Sequence, residues 1–139
     1  MSNPILMSIK PKYSHKIITQ KKTIEIRKKI GIKFKIDEYI YIYSSAPDKK
    51  IVGYFQIDSI IEFDKDKITN ELLLESCLSK NEMLNYIKDD KAYGIKIKNI
   101  YLSKTISLQE IRNVFRNFNP PQSFRYIQAD MLDYLKKNI

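Results

Sequence analysis

The sequence predicts a small α+β domain whose long alternating strands curl into a compact barrel or half-barrel flanked by short helices. Three observations lead there. Apolar and polar residues alternate over residues 37–44 (DEYIYIYS) and 92–102 (AYGIKIKNIYL), and residues 51–63 (IVGYFQIDSIIEF) read as another strand run. Helix-start signals lie between and after these runs: Ser79 with Glu82, and Ser107 with Glu110, both at capping-box spacing. Finally, 139 residues at 43% hydrophobic content suit one domain, residues 1–139, around one core.

The elements follow in order. Pro11 stands near the first turn of a short helix over 13–20, with Tyr13, Ile17 and Ile18 on one side. Residues 20–29 (QKKTIEIRKK) then alternate as a strand, Thr23, Glu25 and Arg27 on one face and Ile24 and Ile26 on the other. The 37–44 strand sets Tyr39, Tyr41 and Tyr43 against Ile40 and Ile42 and ends in an SSAPDKK turn punctuated by Pro47. In the 51–63 strand, Gly53 permits a bulge or the close approach of another backbone. Helices are expected over 68–78, 79–88, 107–118 and 128–136, the third ended by Pro120 and Pro121. The sequence has no internal repeat or low-complexity tail.

Composition excludes several classes. No run of eighteen apolar residues spans a membrane, and the opening MSNPILMSIKPKY lacks a signal-peptide core, so a cytoplasmic protein is expected. One cysteine, Cys77, excludes an internal disulfide framework, and one histidine leaves too few nitrogen and sulfur ligands for an ordinary zinc site. Neither a metal nor a cofactor is expected. The three glycines are scattered, so no phosphate loop forms, and His15 reads as a surface histidine.

Charge is distributed unevenly. Residues 1–35 hold ten basic side chains against one acid, Glu25, and so carry the entire net charge of +9. Lys10, Lys12, Lys16, Lys21, Lys28 and Lys29 form a basic patch of the kind that phosphate-bearing partners demand.

Three polar clusters are candidate sites. The first is Lys22, Thr23, Glu25 and Arg27, where a carboxylate and a guanidinium share a strand face and can pair or hold one ligand. Alternation alone fits a solvated strand face equally well. The second is Ser44 and Ser45, whose hydroxyls close a strand at the barrel mouth, where ordinary turn chemistry also places serine. The third is PPQSFRYI, residues 120–127. Its prolines hold Gln122 and Ser123 extended or in a turn, and Phe124 or Tyr126 can stack on a base or anchor the loop.

In order along the chain, these clusters resemble the ASCH domain family of the PUA-like superfamily, in its small bacterial and phage forms. The family's G-x-K-x-x-E-x-R signature aligns with residues 20–27, QKKTIEIR, with Gln20 in the glycine's place. ILMSIKPKYSHKI resembles the lead-in strand and helix, and YIYSSAPDKKIVGYF, SKNEMLNYIKDDKAYGIKI and PPQSFRYI resemble later segments. The resemblance implies a PUA-like pseudobarrel with Lys22, Glu25 and Arg27 lining a cleft that takes RNA or a modified nucleotide. Ser44, Ser45, Gln122, Ser123 and Tyr126 join them as weaker candidates. One branch of the family hydrolyses N4-acetylcytidine through a K-T-x-T-x-R motif. Lys22 and Thr23 match it, but Glu25 replaces the nucleophilic threonine, and a carboxylate does not inherit a hydroxyl's role in acyl transfer. Glu25 with Lys22 would then act, if at all, as a general base on water, and Glu75 aligns with that branch's distant glutamate. Other members are associated with RNA cleavage, which Lys22, Tyr43 and the serines can support. The expectation is therefore RNA or modified-nucleotide binding. A hydrolase of either type and a protein-interaction module stay open, as does the oligomeric state.

Overall fold

The computed structural model describes residues 2–139. Six strands form one sheet: β1 (Ile5–Ile9), β2 (Ile24–Arg27), β3 (Tyr39–Ser44), β4 (Lys50–Phe63), β5 (Ala92–Ser107) and β6 (Phe124–Tyr126). Their spatial order is β2-β5-β4-β3-β1-β6, with β1 parallel to β3 and every other pair antiparallel. Five α-helices among the described residues pack around it: α1 (Pro11–Ile18), α2 (Asn70–Ser76), α3 (Lys80–Ile87), α4 (Leu108–Val114) and α5 (Ala129–Asn138). This is the expected α+β half-barrel.

The curl is written into β4 and β5. Their register shifts three times, and each shift adds local bend and twist. Gly53 sits at one of them, where a Cβ would come within 2.8 Å of the Tyr101 carbonyl oxygen, so the two backbones meet there because the side chain is absent. Apolar residues alternate onto two faces of the curled sheet. Ile5, Met7, Ile40, Ile42, Phe55 and Ile57 fill the main core. Leu6, Tyr41, Tyr43, Ile51 and Ile106 face the opposite way and pack under α4 and α5 through Ile111, Met131 and Leu135. Ile24 and Ile26 of β2 enter a third cluster with Phe63, Leu72 and Met83.

Both capping boxes form as expected, Ser79 with Glu82 and Ser107 with Glu110. Several elements differ from the sequence reading. β2 covers only Ile24–Arg27 of residues 20–29, because Gln20 and Lys21 are taken up in the turn out of α1. β5 continues past residue 102 to Ser107, because Ile106 and Ser107 pair with Ile51 and Lys50. α4 stops at Val114 rather than near 118, where Phe115 leaves helical geometry and packs edge-on against Tyr134 of α5. Residues 124–126 become an edge strand on β1, Phe124 opposite Met7.

Gln20, which stands where the resembled signature has glycine, adopts φ 62° in the turn out of α1. Its backbone N–H reaches the Ile17 carbonyl oxygen at 3.0 Å and Lys21 N–H reaches that of Lys16 at 2.9 Å, which holds the left-handed residue in place. An L side chain costs about 1–2 kcal/mol in this region, offset in part by glycine's larger unfolded-state entropy. Gln20→Gly is therefore expected to stabilise the protein by about 0.5–1 kcal/mol, measured by urea denaturation.

Candidate functional site

The alternation of β2 buries Ile24 and Ile26 on one side and sends Glu25 and Arg27 to the other. There they meet Lys22, which is 1% exposed, at the bottom of a cleft of about 620 Å³. Lys22 Nζ donates to the Ser76 carbonyl oxygen at 2.6 Å and lies 3.5 Å from Glu25 Oε1 and 5.1 Å from the Tyr13 ring centre. Arg27 Nε donates to Glu25 Oε2 at 2.9 Å. The rest of the guanidinium crosses the cleft floor: one NH2 donates to the Ser8 carbonyl oxygen at 2.7 Å and the other to Ser123 Oγ at 3.3 Å. Ser8 in turn donates to the Pro121 carbonyl oxygen at 2.6 Å, fastening the proline segment to β1.

Two cations and one anion thus share a nearly dry floor, leaving one positive charge in excess. Burial pulls the Lys22 ammonium below its ordinary pKa, and the adjacent Glu25 carboxylate opposes that shift. Field lines in such a low-dielectric recess are screened little by salt, so the excess charge favours an anion entering it.

The walls come from four other segments. Lys10 and Tyr13 stand on the α1 side, and Ser45, Ala46 and Lys49 on the turn between β3 and β4, with Tyr43 beneath them. Leu78, Glu82 and Tyr86 come from α3 and its approach, and Pro120, Pro121 and Gln122 close the far side. Lys49 holds φ 51°, an uncommon conformation that places it on the rim. Glu82 carries no free charge into the cleft. It accepts Ser79 N–H at 3.0 Å and Lys12 Nζ at 3.1 Å, which together hold its carboxyl at a pKa of about 2.

Of the residues singled out in the sequence, Lys22, Glu25, Arg27, Ser45, Gln122 and Lys10 line the cleft, and Ser123 reaches it through Arg27. Three others go elsewhere. Thr23 acts through its backbone, its N–H bonded to Glu75 O and its carbonyl to Ile97 N–H, while its side chain faces solvent. Ser44 is fully buried, bonded to Ser14 Oγ at 2.7 Å and to Asp48 at 2.8 Å, and so pins the turn rather than facing a ligand. Tyr126 follows the alternation of β6 away from the cleft. It packs with Phe34 and Phe124, accepts Lys33 N–H, and lies over Gly31, where a Cβ would collide with its hydroxyl. Glu75 is outside the lining as well. In the basic patch, Lys12 is paired with Glu82, Lys28 lies 5.4 Å from the Tyr86 ring centre, and Lys16, Lys21 and Lys29 lie outside the cleft lining. Sequence reasoning did not select Tyr13, Lys49 or Tyr86, since each joins the site only when α1, the turn and α3 converge.

Two outcomes follow. Glu25→Gln removes the anion between two buried cations and is expected to destabilise the protein by about 3 kcal/mol or more in denaturant titrations. Because the Glu82 carboxyl titrates lower folded than unfolded, its stabilising contribution is complete above about 4.5 and is lost as pH falls toward 2. Carboxyl-carbon NMR should place its midpoint near 2, and Glu82→Gln should make the acid limb of the stability curve shallower.

No protein-family model matches the chain. It is similar to the ASCH domain-containing ribonuclease of Zymomonas mobilis, at 25% identity over 126 residues, covering 90% of this chain and 84% of that protein. The crystal structure of ASCH from Zymomonas mobilis superposes with a TM-score of 0.88 at 24% identity, covering 97% of this chain and 94% of that one. A tyrosine-to-phenylalanine variant of the same protein gives 0.88 at 23% identity, covering 97% of both chains. The N-terminal domain of Staphylothermus marinus McrB shares the fold more distantly, with a TM-score of 0.62 at 10% identity over 99% of this chain and 94% of that one. Likeness along almost the whole length to the Zymomonas mobilis protein shows that the chain is similar to an ASCH domain and has the fold of that ASCH structure.

Proposed function

We propose that the cleft binds RNA, taking one nucleotide against the Lys22–Glu25–Arg27 floor while the basic first quarter of the chain holds neighbouring phosphates. The observation that carries this reading is the floor itself: a buried cluster with one excess positive charge, ringed by Lys10 and Lys49 and by the rings of Tyr13 and Tyr86. Cations suit a phosphate, the tyrosine rings suit a base or sugar, and Gln122 offers a donor and an acceptor to a base edge. The name of the Zymomonas mobilis relative, a ribonuclease, supports RNA as the partner.

Strand cleavage is the second reading, favoured by Tyr43 and Lys49 standing together in the lining. In this reading the 2′-hydroxyl attacks the phosphate and loses its proton to solvent, while the Tyr43 phenol, whose pKa burial raises, stays protonated and donates to the leaving 5′ oxygen. The Lys49 ammonium can offset charge on the attacked phosphate. Glu25 and Arg27 are already committed to each other and to Ser8, which suits positioning better than proton transfer.

Binding is tested with labelled single-stranded RNA across a salt series. Affinity should fall steeply with salt, and Lys10→Ala or Lys49→Ala should each lower the slope of log K against log salt by about 0.7. Salt-independent affinity would overturn the reading. Cleavage is tested on the same RNA and on its 2′-O-methyl form. Turnover confined to the former, and reduced at least about 100-fold by Tyr43→Phe, supports an enzyme. Tight binding without turnover leaves a binding protein.

A further inference from the structure

A second cavity, of about 340 Å³, lies beside the cleft and belongs to none of the groups assigned above. It is built on β6, the residues after α4 and the start of α5, and is lined by Arg116, Phe118, Arg125 and Gln128 among others. Strand alternation explains its position. Arg125 pairs across the sheet with Leu6, and Leu6 is two residues from Ser8 on β1, so both face the same side. Leu6 lines the second cavity and Ser8 lines the cleft, about 7 Å further along the strand. The chain from Phe115 to Phe118 borders the cavity, and Pro120 to Gln122 border the cleft. The two openings are therefore neighbours on one face.

The chemistry inside is specific. The Arg125 guanidinium lies 4.6 Å from the Phe118 ring centre and makes no hydrogen bond or ion pair among the described residues. Its planar fork of donors is left unspent. The residue is exposed to solvent, and partial desolvation by its neighbours lowers its pKa from the ordinary arginine value. The segment that carries the ring is tied to α4: Arg112 Nε donates to the Phe118 carbonyl oxygen at 3.0 Å and its terminal NH2 to Asn119 Oδ1 at 3.2 Å. Asp130 also borders the cavity, but its Oδ1 accepts Met131 N–H at 2.8 Å, and Arg116 with Arg125 still outweigh it in charge.

We propose that this cavity is a second phosphate subsite for the RNA strand whose nucleotide occupies the cleft, with Arg125 gripping a backbone phosphate, Arg116 assisting and Phe118 holding the guanidinium in plane. The proposal rests on the RNA reading of the cleft. It sets the polarity-independent path of the strand: along β1, from Ser8 toward Leu6.

The test compares a nucleoside monophosphate with a single-stranded RNA of about ten nucleotides, long enough to reach both openings. Arg125→Gln is expected to weaken the longer RNA by about tenfold at physiological salt and lower its salt slope by about 0.7, while monophosphate affinity stays at the wild-type value. Arg125→Lys, which keeps the charge but loses the planar fork, should recover part of the loss. Circular dichroism monitors folding of each variant. If Arg125→Gln binds the longer RNA like the wild type while Lys49→Ala is impaired, this subsite is refuted and the cleft reading stands. Equal loss for both ligands also refutes it, because the residue would then act through the cleft. A wild-type protein that binds neither ligand removes both readings.

Discussion

The closure of the sheet by Arg27 is the interaction on which the site depends. β2 and β6 are the two ends of the strand order, and no backbone ladder among the described residues joins them. Arg27, the last residue of β2, spans that gap by donating to Ser8 of β1 and to Ser123 just before β6. Its guanidinium keeps this geometry because Glu25, two residues earlier on the same face, fixes Nε, and Lys22 and the Ser76 carbonyl secure the other end of the chain of contacts. A planar, permanently charged fork suits such a bridge, whereas a lysine would supply one point charge. Since desolvating these groups is costly, their burial is weak ground for stability as such and stronger ground for a role in shape and electrostatics.

That arrangement divides labour within the cleft. The signature residues hold the sheet ends together and set an excess positive charge at the bottom. The groups with unspent chemistry, Lys10, Lys49 and Tyr86, lie above them on α1, the β3–β4 turn and α3. The turn is itself held by Asp48, which binds Ser44 from below and His15 at 2.6 Å from α1. A ligand entering from solvent therefore meets positioned rim groups first and the ion cluster last.

Rigidity on the same face comes from aromatic contact across strands. Tyr41, Tyr54 and Tyr101 are register partners on β3, β4 and β5 and stack with ring centres 4.8 Å apart at each step. Continuing the row through Leu6 reaches Arg125, so the strand side of the second cavity stands at the end of a packed line, while Arg116 and Phe118 come from the segment after α4. Such a foundation limits how far Arg125 drifts.

Much of the fold was legible in the chain because local rules governed it. Alternation marked β3, β4 and most of β5, and the spacing of Ser79 with Glu82 and Ser107 with Glu110 marked two helix starts, each a matter of neighbours within one turn or one pleat. Alternation also put Glu25 and Arg27 on one face. It did not say that this face was buried, nor that Arg27 would reach residues 19 and 96 positions away. The same locality misplaced Ser44 and Tyr126, whose side chains are claimed by Asp48 and by Phe34, and passed over Tyr13, Lys49 and Tyr86. By itself the sequence determined most element types, the concentration of charge in the first quarter and the shared face of Glu25 and Arg27, since these follow from composition and short-range spacing. Only the tertiary structure decided which polar groups face a common cavity, because that depends on how far β4 and β5 bend and on what the closed sheet brings opposite β2.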